Sequence, residues 1–483
     1  MKQHYLTLLL FITALSVQSL LAQNHGEKID QLIKTYHEYG QFNGAVLVAE
    51  NGKVILKKGY GMANMEWGIP IQPDTKFRIG SVTKTFTATL IMQFVEEGKV
   101  KLDAKLTEYL PDYRNDTGDK VTIHHLLNHT SGIPNYTNGK FSRENSRDPY
   151  TVDEFVKKFA SGDLEFEPGS KYSYSNSGYF LLGAIIEKVT NKSYPQVLEE
   201  RILKPLGMDD TGYDFYAPLL KNRASGYRKT FEGFENARYV DMSTPYAAGA
   251  IYSTVEDLYK WDRALYGTKI LSEKSKSLMF KPGELSDYGY GFHITNLRIG
   301  KTDERTKAIY HDGSINGFDG ILIRLVDQNH FIVLLDNVEL GDYHGAIFRA
   351  IRNIIYDQPF DSPKKSIAET LYKTAKTKGG VAAVTEYRKL KTGVDSGIYN
   401  FSEGQLNTLG YQLLRMNKIK DAIEIFKLNV EMFPESSNTY DSLGETYLKD
   451  GQNDLALKNY KKAVELDPKN ENAIKIINRL EGK

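Results

Sequence analysis

The chain has 483 residues, 41% of them hydrophobic and 25% charged, and its 62 basic side chains (Lys and Arg) stand against 61 acidic ones. That length exceeds one ordinary core and predicts two or three domains, while the near-zero net charge excludes bulk attraction to nucleic acid or an anionic membrane as the main binding force. No cysteine is present, which excludes disulfides, thiolate metal sites, a cysteine nucleophile and lipid carried on cysteine.

Residues 1–22 read as a signal peptide. Lys2 supplies the positive start, Tyr5 to Val17 is almost wholly apolar, and Ala22 is a small residue at the expected cut. The apolar run is short for a membrane span, and no later segment is long and apolar enough for one. The chain is therefore expected to be exported, periplasmic or secreted, in a bacterial cell envelope.

Next, Gly44–Ala49 and Lys53–Lys57 flank Asn51-Gly52, a strong hairpin signal. Ser81-Val82-Thr83-Lys84 then opens an apolar run that predicts a largely buried helix from Thr83 to Glu97, stopped by Gly98. Helical stretches follow at 152–160, 178–190 and 254–266. Strands return at Ala308–His311, Gly320–Val326 and His330–Leu335, the last two joined across Asp327-Gln328-Asn329. Strands at both ends of a helical middle predict an α+β domain over 23–360, one antiparallel sheet flanked by helices together with an all-helical part.

Beyond Pro359-Phe360-Asp361-Ser362-Pro363 the pattern turns helical and repetitive. Gly410 and Gly444, Ala422 and Ala456, Phe426 and Tyr460, and Pro434 and Pro468 are each 34 residues apart. This resembles the tetratricopeptide repeat. It implies repeats over 403–483 closed by a capping helix at Glu471–Leu480, with 361–402 a helical linker or a degenerate repeat around Ala383 and Tyr387. Such repeats present a groove for a protein or extended peptide partner.

Three segments carry chemistry. In Ser81-x-x-Lys84 the two side chains share a helix face, so a neutral amine can take the proton of the hydroxyl. Tyr174-Ser175-Asn176 lies on a turn before a helix, and His311-Asp312-Gly313 ends a strand. In this order the three resemble the serine β-lactamase and penicillin-binding-protein superfamily, in the branch of class C β-lactamases, D-alanyl-D-alanine carboxypeptidases and esterases. Leu126–Pro134, Pro205-Leu206-Gly207-Met208 and Ala248–Thr254 support the resemblance, which spans residues 35–355.

The resemblance implies that Ser81 is acylated, that Lys84 and Tyr174 move protons, and that Asn176, His311 and Gly313 bind substrate. It also implies an oxyanion held by the backbone N–H groups of Ser81 and of Ser314 on an edge strand. To act as a base near neutrality, Lys84 must lose its proton far below the ordinary lysine range. No cofactor and no metal is implied. His311 stands where β-lactamases carry lysine, and Asp312 where a hydroxyl often meets the substrate carboxylate. If Asp312 faces the cleft it repels that carboxylate; if it points away it does not.

The leading expectation is thus an exported serine hydrolase that cleaves a peptide, amide or ester bond, D-alanyl peptidase-like or esterase-like before efficient β-lactamase. The rival is a catalytically weak penicillin-binding-like scaffold that recruits proteins through its repeats. His124, His125 and His129 read as packed or hydrogen-bonded histidines, because no third ligand stands at metal-site spacing. Glu96-Glu97 and Asp209-Asp210 read as a helix end and a turn rather than as a glycosidase pair. The 32 tyrosines are scattered and read mostly as half-buried packing.

Overall fold

The computed structural model describes residues 24–482 except 139–140 and 342; the stretch 1–22, expected to be a signal peptide, lies outside them. The described chain divides into two compact units, one ending at Asp361 and one beginning at Ser362.

The first unit is built on a six-stranded sheet. Its strands are β1 (Gly44–Glu50), β2 (Lys53–Gly59), β3 (His293–Arg298), β4 (Arg305–Ile315), β5 (Phe318–Leu325) and β6 (His330–Asp336), in the order β3-β4-β5-β6-β1-β2. Every pairing is antiparallel. The β1–β2 turn carries φ +50 at Asn51 and +74 at Gly52, the two left-handed residues that a tight hairpin of matching twist requires.

Period-two alternation along the central strands makes two cores. Ala45, Leu47 and Ala49 face one way, with Leu322, Phe331, Val333 and Leu335. Val46 and Val48 face the other, with Ile323, Leu325, Ile332 and Leu334. The second face is covered by α1 (24–38) through Ile29, Leu32 and Ile33, and by a C-terminal helix of this unit (Tyr343–Ile355) through Ile347, Ile351 and Ile354. Both helices place apolar residues three and four apart.

The first face is covered by the helical part. Its centre is α2 (Thr83–Glu96), followed by α3 (Asn176–Thr190) and α4 (Val255–Ala264). All but three of the 14 residues of α2 are buried. Its threonines remain satisfied in that setting: Thr85 Oγ1 donates to the Val82 carbonyl at 2.8 Å and Thr87 Oγ1 to the Ala247 carbonyl at 2.7 Å. A helix buried on every side holds its first turn still, and that turn carries the residues of interest.

The second unit contains seven helices among the described residues. After α5 (Tyr343–Ile355) of the first unit come α6 (Ile367–Lys378), α7 (Gly380–Thr392), α8 (Glu403–Arg415), α9 (Ile419–Met432), α10 (Ser437–Lys449), α11 (Asn453–Leu466) and α12 (Glu471–Leu480). The 34-residue spacing has a physical origin. A Cβ on Gly410 would come 2.5 Å from the Phe426 ring and one on Gly444 3.2 Å from the Tyr460 ring, so each glycine is the seat of an aromatic from the next helix. Ala383 and Tyr387 of α7 precede Ala422 and Phe426 by 39 residues rather than 34. The excess is the five-residue 3-10 turn Val394–Ile398.

Candidate active site

Ser81 lies in a 3-10 turn, Gly80–Val82, that runs directly into α2. Two glycines let the end of β4 press against this turn. Gly80 has φ +48, and a Cβ there would lie 2.9 Å from the Ser314 amide nitrogen. A Cβ on Gly313 would lie 2.1 Å from the Ile79 carbonyl oxygen and 2.9 Å from the Ser81 nitrogen. The backbones of Ser81 and Ser314 are thereby brought side by side. On its far side β4 pairs with β3 only over 305–310, so residues 311–315 form a local free edge.

Lys84 follows one helical turn after Ser81, and its Nζ is 2.9 Å from Ser81 Oγ. A second N–H of the amine donates to the Ala248 carbonyl at 2.7 Å, which fixes its orientation. Lys84 is 0% exposed, and among the described residues it forms no ion pair with a carboxylate. Burial therefore drives its pKa well below the usual lysine range, opposed only by the charge of Asp312.

Tyr174 is half-buried, and its phenol interacts with the Ser81 side chain. Its ring centroid is 5.0 Å from Lys84 Nζ. Burial pushes its phenol well above the usual range; the interaction with Ser81 pulls the other way, and the charge of Asp312 adds to the rise. The hydroxyl is a proton donor at any ordinary pH. Asn176 is the first residue of α3 rather than part of the turn before it. Its N–H donates to Asn135 Oδ1 at 3.1 Å and its Nδ2 to Thr137 Oγ1 at 3.2 Å, so its side chain is held by the neighbouring loop.

His311 is 1% exposed, and burial holds its pKa well below the ordinary value, so the ring is neutral. Its Nδ1 meets the Asp312 carbonyl, which can only accept, and so carries the proton. Nε2 then accepts from the Tyr288 hydroxyl at 2.9 Å. Asp312 alternates to the other side of β4 and is exposed. Its charge nevertheless acts on Lys84, Tyr174 and Tyr172, so it lies within electrostatic reach of these groups. Ser314 is exposed and stands opposite Asp319 of β5 in the sheet. Ser81, Lys84, Tyr174, His311, Gly313 and Ser314 thus converge, while Asn176 lies beside them.

The histidines of 124–129 are tied into the protein. His124 Nδ1 is 2.7 Å from the Tyr290 hydroxyl, and His125 Nδ1 accepts the N–H of Thr122 at 3.2 Å, closing the cap of their short helix. Glu97 pairs with Arg201, Glu96 accepts from Ser272 and Asp210 pairs with Lys76, so these carboxylates are held by separate partners. The sequence reading missed Tyr288 and the Ala248 carbonyl. Tyr288 stands in an aromatic and glycine-rich run, Tyr288-Gly289-Tyr290-Gly291-Phe292, which was the available signal.

Comparison with known proteins adds the family. A family model described as β-lactamase matches residues 29–354. The chain belongs to the β-lactamase family. With its penicillin-binding relatives, this is a family of serine hydrolases sharing the present α+β fold. A penicillin-binding protein of Bacillus subtilis (strain 168) is 31% identical over 365 residues, 71% of this chain and 79% of that protein. The crystal structure of a penicillin-binding protein from Bacillus halodurans superposes with a TM-score of 0.58 at 27% identity, over 66% of this chain and 98% of that one. The structure of a D-amino acid amidase from Ochrobactrum anthropi SV3 complexed with D-phenylalanine gives a TM-score of 0.58 at 27% identity, over 70% and 98%. Within the second unit, residues 437–470 match a tetratricopeptide repeat model.

Proposed function

We propose that this β-lactamase-family chain cleaves an amide, peptide or ester bond through an acyl-enzyme on Ser81. The observation that carries the reading is the 2.9 Å approach of Ser81 Oγ to the buried amine of Lys84, which among the described residues forms no ion pair with a carboxylate. Neutral Lys84 takes the Ser81 proton as Oγ bonds to the substrate carbonyl carbon. The oxyanion is held by the N–H groups of Ser81 and Ser314. Tyr174 passes a proton to the leaving amine or alcohol as the C–N or C–O bond breaks, and is reprotonated through Lys84. Water then hydrolyses the ester on Ser81 by the same steps in reverse.

Asp312 shapes the substrate preference. Its carboxylate is exposed and within electrostatic reach of Lys84, and His311, the preceding residue, is neutral, so a free substrate carboxylate meets an acidic group and no imidazolium there. Amides, esters and substrates bearing an amine are favoured over β-lactams and peptides with a free C-terminus. The likeness to a D-amino acid amidase agrees with this order. The test is an activity panel of D-amino acid amides, D-alanyl peptides, a short-chain aryl ester and a chromogenic cephalosporin. Rapid cephalosporin turnover without ester, amide or peptide cleavage overturns the ranking. Ser81→Ala is expected to abolish labelling by a fluorophosphonate while leaving the circular dichroism spectrum unchanged; surviving label would remove Ser81 from its role.

Export is proposed from the leader-like residues 1–22, with a mature N-terminus expected at Gln23 on Edman sequencing of the secreted chain. The tetratricopeptide repeats are proposed to recruit a protein or peptide to the hydrolase.

A further inference from the structure

His129 lies outside the three chemical segments, yet it holds Tyr174 from two directions. Its carbonyl oxygen accepts the N–H of Ser173 at 2.9 Å, and its Nδ1 accepts the N–H of Ser175 at 3.1 Å. Both amides flanking Tyr174 therefore end on one residue. The His129 ring also packs on the Tyr174 ring, with centroids 4.2 Å apart and planes inclined by 38°. Behind it stand Tyr288 at 4.5 Å and Tyr179 at 5.1 Å, so the ring is a wedge between the phenol and the core.

The backbone explains how one residue does both. His129 has φ +60, a left-handed conformation in which asparagine, aspartate and histidine are the enriched side chains. The reversal there aims carbonyl and imidazole at the same extended segment. The tautomer follows. Nδ1 accepts, so the neutral ring carries its proton on Nε2, which is buried and without a hydrogen-bond partner. An apolar side chain would pack in this place without leaving a donor bare. What the imidazole supplies beyond packing is the acceptor for Ser175.

We propose that His129 is the positioning residue for Tyr174, holding the phenol against Ser81 and Lys84 by a two-point clamp on the flanking amides. The inference rests on the role of Tyr174 proposed above. Tyr174 has a single rigid ring between its backbone and the reacting hydroxyl, so a shift of the backbone is a shift of the proton donor. Misplacement on the order of 1 Å is enough to cost about 100-fold in rate.

The test uses the full chain, with kcat and KM for p-nitrophenyl acetate and the second-order rate of fluorophosphonate labelling. His129→Asn keeps a side-chain acceptor and tolerates the left-handed backbone; His129→Phe keeps a ring and loses the acceptor. His129→Phe is expected to lower kcat about 10- to 100-fold with KM changed by less than about twofold. His129→Asn is expected to recover most of that loss. On a Tyr174→Phe background, His129→Phe is expected to cost less than about twofold more, because the residue acts through the phenol. His129→Leu replaces the phenylalanine variant if circular dichroism shows the latter unfolded. A variant without the acceptor that matches wild type, or a loss that persists in full without the phenol, overturns the proposal. A Tyr174→Phe chain as fast as wild type removes the role of Tyr174 itself, and the clamp with it.

Discussion

At the scale of single residues, two influences compete for the proton of Lys84. Burial favours the neutral amine, and the exposed Asp312 carboxylate favours the charged one. Only the neutral amine can act as base, so kcat/KM is expected to rise with pH through a Lys84 pKa that lies below the usual 10.5. Tyr174 is pushed above 10.0 and adds no falling limb below that pH. Asp312→Asn removes an influence that raises the Lys84 pKa, so the acid limb should move to lower pH. Asp312 is exposed and screened, so the shift should shrink as salt is added. Profiles for p-nitrophenyl acetate at low and high salt check both; a shift to higher pH contradicts the assignment. The spacing of Ser81 and Lys84 was enough to bring them together, because helix geometry is local. The direction of Asp312 and the Tyr288–His311 bond were illegible, since both depend on partners more than twenty residues away or on which face of a strand meets the cleft.

At the scale of elements, glycines set how closely pieces approach. Gly313→Ala puts a methyl group 2.1 Å from the Ile79 carbonyl. The end of β4 must then leave the Ser81 turn, and both amides proposed for the oxyanion separate. The expected results are a fall in kcat and a destabilisation of about 1–3 kcal/mol, read by activity and urea unfolding. Unchanged kcat would show that β4 does not serve the reaction. In the repeats, Asn429 is 0% exposed with neither amide atom partnered, whereas Ala463, 34 residues later, fills the equivalent place. Asn429→Ala is expected to stabilise the second unit by about 1 kcal/mol, from relief of the bare amide and better helix propensity less the small cavity left. A lower urea midpoint would refute it. The hairpin at Asn51-Gly52 and α2 were legible because their signals are local. β3, His-Ile-Thr-Asn-Leu-Arg, was not: its apolar residues are sparse and its place is set by β4. The first repeat was only half legible, because five residues break its spacing.

At the scale of the whole molecule, the sheet joins the two ends of the first unit. Gly44 of β1 pairs with Asp336 of β6, and Ser81, which follows β2 in the chain, meets the end of β4 within the same closed unit. A chain ending at Asn329 keeps β1 to β5 but lacks the strand between β5 and β1. It is expected to be digested by thermolysin at once, under conditions in which the full chain survives; a resistant fragment would mean that the sheet closes some other way. The α+β class was visible from the strands at both ends of the helical middle. Their order in the sheet was not, because apolar strands buried on both faces carry no mark of which neighbour they take.

That long-range pairing sets a clock on biosynthesis. At about 5–20 residues per second, roughly 15–60 s pass between the emergence of β1 and of β6. For that interval Ala45 to Ala49 wait, both faces apolar, for a strand that does not yet exist. The six-stranded sheet is therefore expected to close only once synthesis has passed β6, leaving β1 a long window in which another apolar strand could pair with it.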